Sequence, residues 1–328
     1  MKFLIVWFGV FIGFAASAQN YYSPDVTSKI YTNLNQALNE RERVFRLDLS
    51  EQNLSAIPLG VFEFNNLESL ILDGNKITSL KFLPNQLPRL KYLSLKRNKI
   101  RKFHIPKNCL DMLSELYLDQ NELIEFPQIT NPMVNLIALS LSQNYINELP
   151  RDALSLTRLR FLTLDSNPLK NPELAFDYSS YLERLSMYQT GLKKLPRSYI
   201  FKNMTKLVIS GNTIDYKTID ASRFLKVEYL DISYVPLINM EDFISITQFK
   251  NLKYLVAEDI GMTSLMPEIA NLKKLREATF LNNQLTTLPE EIFKLKLKTI
   301  HLEYNPISKT TIELIQQNMP KTKVFFSP

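Results

Sequence analysis

Cysteine and histidine are scarce in this 328-residue sequence, which has one cysteine, Cys109, and two histidines, His104 and His301. A single cysteine cannot form a disulfide within the chain, so stability must come from packing, and we expect Cys109 to be a small buried hydrophobe. The two histidines stand 301 − 104 = 197 positions apart. These residues supply neither the ligand set of a zinc cluster nor a cysteine–histidine catalytic pair.

Glycine is also rare, with seven in the whole sequence, and none falls in a dinucleotide-binding, P-loop or G-x-S-x-G pattern. Carboxylates are plentiful but scattered. We interpret Glu115 and Asp119 as ordinary charges on a solvated surface. The Asp-x-Asn triplets that begin at Asp73, Asp119 and Asp165 lack the bidentate glutamate of a calcium loop. The sequence therefore predicts a protein that is not an enzyme and that uses no metal and no cofactor.

The N-terminus has the pattern of a secretory leader. Lys2 precedes an apolar run over residues 3–16, and small residues follow at Ala16 and Ala18. The run is shorter than a membrane anchor needs, and no cysteine follows it to carry a lipid. We expect a signal peptide over residues 1–18 that is cleaved after Ala18, a secreted or periplasmic mature protein, and no stable insertion in a membrane.

What the sequence does contain is an internal repeat, L-x-x-L-x-L-x-x-N-x-L, clearest in the units that begin at Leu67 and Leu90. Twelve units share it, and their first residues stand at positions 44, 67, 90, 113, 136, 159, 182, 204, 227, 252, 275 and 297. This pattern and period resemble the leucine-rich repeat family. The resemblance implies an α/β solenoid: a horseshoe of about twelve repeats, with a parallel β-sheet on the concave face and an irregular or short helical convex side.

The ninth position of the repeat predicts a ladder of asparagine amides where the chain leaves each strand. It is occupied by Asn75, Asn98, Asn121, Asn144, Asn167, Asn212, Asn283 and Asn305. Between residues 182 and 270 the pattern weakens, because Thr190, Val235 and Ile260 replace the asparagine and Ala257 and Ala278 replace inward leucines. We expect looser packing there, and a convex helix over residues 240–249.

Both ends of a solenoid expose a core layer, so capping segments are expected. Helical spacing of Ile30, Leu34 and Leu38 predicts an N-terminal helical cap within residues 19–43. The repeats then occupy residues 44–307. A C-terminal cap follows over residues 308–328, with a helix from Thr311 to Met319 and a final strand at residues 324–326.

Several units continue with an apolar residue and proline after the eleventh position, as in Ile57-Pro58 and Leu149-Pro150. This resembles the leucine-proline type of repeat in bacterial extracytoplasmic proteins, including internalin-like adhesins. The resemblance implies that partners bind at the concave face. The lack of cysteine-rich caps, which are usual in secreted animal and plant repeat proteins, favours a bacterial source.

Solvent-facing positions three, five, seven and eight of each unit form the concave surface in this fold, and aromatic residues recur there. Because exposed aromatics are enriched in interfaces, we interpret them as a candidate partner-binding site. Its residues are Tyr92, Tyr117, Phe161, Tyr188, Tyr229, Tyr234 and Tyr254. The last five fall in repeats six to ten, where the pattern is least regular. The alternative is that tyrosine favours strands and covers neighbouring side chains.

These features predict a non-catalytic recognition or adhesion protein of the cell envelope or exterior. Its partner is expected to be a protein or peptide, although the geometry also permits a glycan. Another hypothesis is a structural scaffold that assembles other envelope proteins. Nucleic acid is disfavoured, because Lys96, Arg97 and Lys99 are flanked in neighbouring units by Asp73 and Asp119 rather than extended into a basic stripe. The sequence leaves the oligomeric state open.

Overall fold

The computed structural model describes residues 28–129, 135–150, 156–177, 181–195, 200–236 and 240–327. The leader expected over residues 1–18 lies outside this part of the chain. The β-strands are β1 Ile30–Tyr31, β2 Arg46–Asp48, β3 Ser69–Ile71, β4 Tyr92–Ser94, β5 His104–Ile105, β6 Glu115–Tyr117, β7 Gln128–Ile129, β8 Ala138–Ser140, β9 Phe161–Thr163, β10 Arg184–Ser186, β11 Lys206–Val208, β12 Tyr229–Asp231, β13 Tyr254–Val256, β14 Glu277–Thr279, β15 Thr299–His301 and β16 Lys323–Phe325.

Helical segments are short. The α-helices are α1 Leu34–Asn39 and α2 Lys309–Asn318. The 3₁₀ helices are Arg41–Arg43, Leu59–Glu63, Pro172–Asp177, Tyr216–Thr218, Ala221–Arg223, Met240–Gln248, Pro267–Asn271 and Glu290–Lys294. Within the described residues, no helix is both long enough and apolar enough to cross a membrane.

Fourteen strands form one parallel sheet, in the order β1-β2-β3-β4-β6-β8-β9-β10-β11-β12-β13-β14-β15-β16. Each of the twelve repeats contributes one three-residue strand to it, and β1 and β16 extend the sheet at its two ends. The short strands β5 and β7 pair with each other in a second sheet. The predicted fold class, a leucine-rich repeat horseshoe with a parallel sheet and a short helical convex side, is confirmed.

The core forms because the apolar positions of every repeat point inward from the strand and from the return segment. In the third repeat, Leu90, Leu93, Leu95 and Ile100 are fully buried. Cys109 is also buried, as expected for a small hydrophobe. Stacked repeats share one continuous apolar cluster, so each unit is stable only between its neighbours.

The asparagine ladder is present and satisfies the backbone where the chain leaves each strand. In Asn121 the amide nitrogen donates to the carbonyl oxygens of Leu118 at 3.0 Å and of Leu95, one repeat earlier, at 2.9 Å. Its carbonyl oxygen accepts the backbone N–H of Ile100 at 3.1 Å. One buried side chain thus joins the backbones of two repeats, and the predicted ladder is confirmed.

The residue before the ladder position has a left-handed backbone in all twelve repeats. It is glycine at Gly74 and Gly211 only. The other ten residues carry side chains, with φ between 50° and 59°: Glu51, Arg97, Gln120, Gln143, Ser166, Gln189, Tyr234, Asp259, Asn282 and Tyr304. This conformation is costly for residues with a Cβ, so the fold accepts local strain at the exit of nearly every strand.

The ends of the solenoid are covered, with one difference from the expected N-terminal cap. Helix α1 begins at Leu34, and its own residue Ala37 is buried. The expectation that Ile30 belongs to this helix was wrong, because Ile30 lies in β1 and pairs with Arg46 of the first repeat. At the other end, α2 buries Ile312 and Ile315, and β16 pairs with β15.

The region of weak repeats keeps the sheet intact, since β10 to β14 pair in unbroken register. At one of the missing asparagines a hydroxyl acts instead, since Thr190 donates to the Met187 carbonyl at 3.0 Å. At another, the Tyr216 hydroxyl binds the carbonyl of Val235 itself at 3.3 Å. The convex helix expected over residues 240–249 is a 3₁₀ helix, Met240–Gln248. Irregular sequence here does not interrupt the solenoid.

Replacing Asn121 with alanine should lower the free energy of unfolding by about 2–4 kcal/mol, because buried carbonyl groups and the Ile100 N–H lose their partner. Chemical denaturation measures the change. Asn147→Ala is the matched control, since Asn147 is exposed, and it should change stability by less than about 0.5 kcal/mol. Equal losses in the two variants would contradict the role given to the ladder.

Candidate functional site

The concave face consists of in-register rows of side chains, because every strand is parallel to its neighbours and shares one register. Position three forms one row, which reads Arg46, Ser69, Tyr92, Glu115, Ala138, Phe161, Arg184, Lys206, Tyr229, Tyr254, Glu277 and Thr299. Neighbouring members of a row are separated by about 4.8 Å, the spacing of paired strands. Side chains far apart in sequence therefore meet on this surface.

The seven predicted aromatic residues all lie on the concave side, but they differ in exposure. Tyr254 is the most exposed, at 36%. Phe161 and Tyr117 are buried, at 9% and 8% exposure. Tyr92, Tyr188, Tyr229 and Tyr234 are half-buried. A row in which every ring faces open solvent is therefore not what the structure shows.

Tyr188, Tyr229, Tyr234 and Tyr254 form two ring pairs, and we call these four residues the tyrosine patch. One pair joins neighbouring repeats and the other reaches across repeat eight. The rings of Tyr188 and Tyr234 meet edge to face with centroids 6.4 Å apart, and those of Tyr229 and Tyr254 lie 6.4 Å apart in a tilted arrangement. Gly211 makes room for the first pair, because a Cβ there would lie 2.8 Å from the Tyr188 ring. The patch spans repeats seven to ten.

Cationic side chains cover several of the rings. Lys206 lies 4.1 Å from the centroid of Tyr229, and Arg184 lies 5.2 Å from that of Phe161. Burial lowers the pKa of Lys206 to about 8, and the charge of Arg184 adds to the effect. The Arg184 side chain over the ring explains the low exposure of Phe161.

The other two aromatic residues form a separate cluster in repeats three and four. Tyr92 and Tyr117 have ring centroids 5.2 Å apart, and the Lys96 amine lies 4.4 Å from the Tyr117 ring. The Tyr117 hydroxyl donates to the Glu115 carboxylate at 2.8 Å. Because Glu115 is only 1% exposed, the interpretation of Glu115 as a solvated surface charge was wrong.

Sequence reasoning missed a second periodic feature, in which an aspartate at position seven binds the next repeat. Asp73 accepts the Ser94 hydroxyl at 2.6 Å and the Lys96 backbone N–H at 2.9 Å. Asp165 accepts the Ser186 hydroxyl at 2.6 Å and the Tyr188 backbone N–H at 2.8 Å. Each such carboxylate joins two strands on the concave face.

Asp119 makes the equivalent contacts with Ser140 and with the backbone N–H of Ser142. A signal for this feature stood in the sequence, since the three aspartates recur at 119 − 73 = 46 and 165 − 119 = 46 residues, which is two repeats. A serine follows each of them after 21 residues. The Asp-x-Asn triplets are therefore structural links between repeats.

Burial raises the pKa of every one of these carboxyl groups. The pKa of Asp165 rises to about 6, and those of Asp73 and Asp119 are also raised. Burial also raises the pKa of Asp231 and that of Glu258, which lie close to the tyrosine patch. The concave face thus holds a line of desolvated acids. Within the part of the chain described here, no group of three or more His, Cys, Asp or Glu side chains is placed to hold a metal ion.

Comparisons with known proteins agree with this architecture. Residues 65–107 match the family model described as leucine rich repeats, two copies. No curated protein matches the chain in sequence. The chain therefore carries leucine-rich repeats, and its fold is that of the leucine-rich repeat horseshoe.

An internalin of Listeria monocytogenes is similar in fold, with 19% identity, a TM-score of 0.53 and 89% of each chain covered. The mouse RP105/MD-1 complex has 18% identity and a TM-score of 0.61, with 90% of this chain and 56% of that chain covered. The TLR13–ssRNA13 complex has 21% identity and a TM-score of 0.66, with 86% and 44% covered. The chain spans less than two thirds of the last two. The predicted resemblance to bacterial repeat proteins such as internalins is confirmed in fold.

Replacement of Asp165 by asparagine should flatten the pH dependence of stability. The carboxyl pKa is about 6 in the folded protein and 3.8 ordinarily, so its stabilising effect is complete below about pH 4 and is lost as the pH rises through 6. The wild type should therefore lose Tm relative to Asp165→Asn between about pH 4 and pH 7. Thermal melts across this range measure the difference.

Glu148→Gln is the control, because Glu148 is an exposed carboxylate. Its Tm should run parallel to the wild type over the same range. A constant Tm difference between Asp165→Asn and the wild type at all pH values would show that Asp165 does not titrate in this window.

Proposed function

We propose that the protein is a non-catalytic recognition protein that binds a protein partner on its concave face, through the tyrosine patch. The fold is typical of protein-binding domains and is ordinarily a non-catalytic scaffold. The observation that carries the proposal is the cluster of four half-buried or exposed tyrosines on repeats seven, nine and ten. Aromatic rings held in place by their neighbours offer contact area at little cost in conformational entropy.

The groups that border the patch suit a polypeptide. Lys206 and Arg184 supply positive charge on one side, and Glu258, which accepts the Tyr234 hydroxyl at 3.2 Å, supplies negative charge on the other. Side chains and backbone amides of a peptide could pair with both signs at once. Phe161 and Tyr117 are buried, and Tyr92 packs on Tyr117 in repeats three and four, away from the patch. We therefore assign these three residues a supporting role.

An RNA partner is disfavoured by the charges of the concave face, although one protein of similar fold was solved with a single-stranded RNA. A phosphate backbone needs cationic neighbours along its path. Here Asp73, Asp119 and Asp165 lie on alternate repeats of the same face. Their carboxylates would repel phosphate, whereas the RP105/MD-1 complex illustrates a protein partner in the same fold.

Replacing Tyr229 and Tyr254 together with alanine should weaken partner binding at least tenfold, about 1.4 kcal/mol, because both rings of one pair are removed from the patch. Affinity capture with purified protein, followed by mass spectrometry and then by a measured Kd for the captured partner, tests this. The Tm should change little, since neither ring belongs to the buried apolar core.

The matched control is Tyr145→Ala with Tyr181→Ala. Both tyrosines are exposed, at 62% and 55%, and both lie outside the concave strands. This variant should keep wild-type affinity. Capture of the same partner with equal affinity by the Tyr229/Tyr254 variant would place the binding surface elsewhere.

The second candidate is a scaffold that holds other envelope proteins together. An extended basic segment of another protein could lie along the line of buried carboxylates on the concave face. This possibility favours the scaffold. A stable endogenous complex isolated from fractionated cells would favour the scaffold. Binding only to foreign or host surfaces would favour the adhesin.

We also propose that the protein is exported and processed after Ala18, as the leader pattern predicts. Trp7 is the only tryptophan of the sequence, so cleavage removes all indole. Protein purified from its natural compartment should have the mass of a chain that begins at Gln19, and its fluorescence should show tyrosine but no tryptophan emission. Tryptophan emission from the purified protein would contradict cleavage.

A further inference from the structure

A row of side chains runs along the N-terminal ends of the strands, at position two of each repeat. We call this border of the parallel sheet its edge. Consecutive members are held side by side by the backbone: the Arg276 N–H donates to the Lys253 carbonyl at 2.9 Å, and the Lys298 N–H donates to that of Arg276 at 2.6 Å. The backbone positions that carry these three cations are therefore about 4.8 Å apart along the solenoid, the spacing of paired strands.

In earlier repeats the same row pairs its charges. Lys91 meets Glu68 of the preceding repeat at 2.9 Å, and Arg160 meets Glu183 of the following repeat at 3.4 Å. Alternating signs leave that part of the edge close to neutral. These pairs show that the fold accepts a neutral arrangement of charges at position two, with which the last repeats can be compared.

The last three repeats break this alternation. Lys253 still meets Glu228 at 2.7 Å, but the next two members of the row are Arg276 and Lys298. No carboxylate of the described residues lies within 4.0 Å of either side chain. Both side chains are exposed. Like charges at neighbouring positions oppose folding, so the fold gains nothing from this sequence of cations.

A second set of lysines, on the segments that lead into the same strands, lies beside this row. Lys273 and Lys296 are exposed and have no carboxylate partner among the described residues. The Lys274 amine donates to the Asn251 side chain at 2.6 Å, which holds it in place without neutralising it. The two sets converge on one part of the edge.

They border a shallow, open depression of about 160 Å³, which we call the pocket. Its lining residues are Lys253, Lys273, Lys274, Leu275, Arg276 and Lys296, so five of the six are cationic. We propose that this pocket binds the sulfate or phosphate groups of an anionic polysaccharide. It is a second site, at the edge of repeats ten to twelve and distinct from the tyrosine patch on the concave face.

The lining also distinguishes between polyanions. Single-stranded nucleic acid is usually held by aromatic side chains that stack on the bases, and the lining has none. Apolar side chains that enter the lipid strengthen attachment to a membrane surface, whereas Leu275, the one apolar lining residue, is 2% exposed. The pocket is also smaller than sites for drug-sized ligands. A small oxyanion on a hydrophilic chain fits it best.

The test compares two variants that remove the same charge. In the pocket variant, Lys273→Gln, Arg276→Gln and Lys296→Gln remove three cations. In the control variant, Lys76→Gln, Lys81→Gln and Lys99→Gln remove three exposed cations from repeats two and three. Because the whole chain carries a net charge of +6, any polyanion is attracted to some degree. The control separates this general attraction from the pocket.

Binding of purified protein to heparin is measured as a function of salt concentration, with neutral dextran as the uncharged polysaccharide. The pocket variant should bind heparin about tenfold more weakly than the control variant, and the slope of log K against log salt should fall by about two, because released counterions scale with the cations engaged. Circular dichroism and the Tm should match the wild type in both variants. Dextran should not bind.

Equal heparin affinity in the two variants would overturn the proposal, and so would binding of dextran through the same residues. Single-stranded DNA and vesicles of phosphatidylserine are measured alongside, and both should bind less tightly than heparin. If either binds as tightly or more tightly through the three pocket residues, the polysaccharide assignment is wrong and that partner replaces it. The Tyr229/Tyr254 variant should bind heparin normally, so this site and the concave site can fail independently.

Discussion

The fold depends on how the chain satisfies its backbone when it leaves a strand of only three residues. Such a strand cannot stand alone, and the turn that follows it lies too deep for water to reach its carbonyl groups. The buried amide of Asn121 and its equivalents supply the missing partners, and they do so across two repeats at once. The same contact fixes the register between neighbours. Every row on the concave face and on the edge of the sheet follows from that register.

A fixed register also gives each position a distinct physical role. Positions that face inward accept only apolar side chains, because the core is continuous from one cap to the other. Positions that face outward bring neighbouring repeats into contact, so their side chains interact as rows. Tyrosines pair with tyrosines, cations cover rings, and aspartates bind the serine of the next repeat. The proposed anion site lies on one such row, in which the charges of the last repeats are left unpaired.

Much of this architecture could be predicted from the spacing of leucine and asparagine, because one repeat pattern sets both the strand and the face of each side chain. The position of Tyr254 and of the other concave aromatics followed directly. Their exposure did not, since it depends on which side chain the next repeat places above the ring, as Arg184 does over Phe161. Glu115 was misjudged for the same reason, because its burial comes from Tyr117 and its neighbours. Unpaired charge at Arg276 becomes visible only when the row is compared with the paired Glu68 and Lys91.

The left-handed residue at position eight has a consequence for how such a protein can diversify. Its conformational cost is set by the backbone and is met in each of the ten repeats that carry a side chain there, whether the residue is Arg97, Gln143 or Tyr234. Exchange of one non-glycine side chain for another there changes the surface without adding a new strain. The position thus presents one side chain beside the concave face in the same backbone conformation, and it recurs in all twelve repeats. Mutation at position eight can therefore change the side chains beside the concave face while the backbone of the solenoid stays the same.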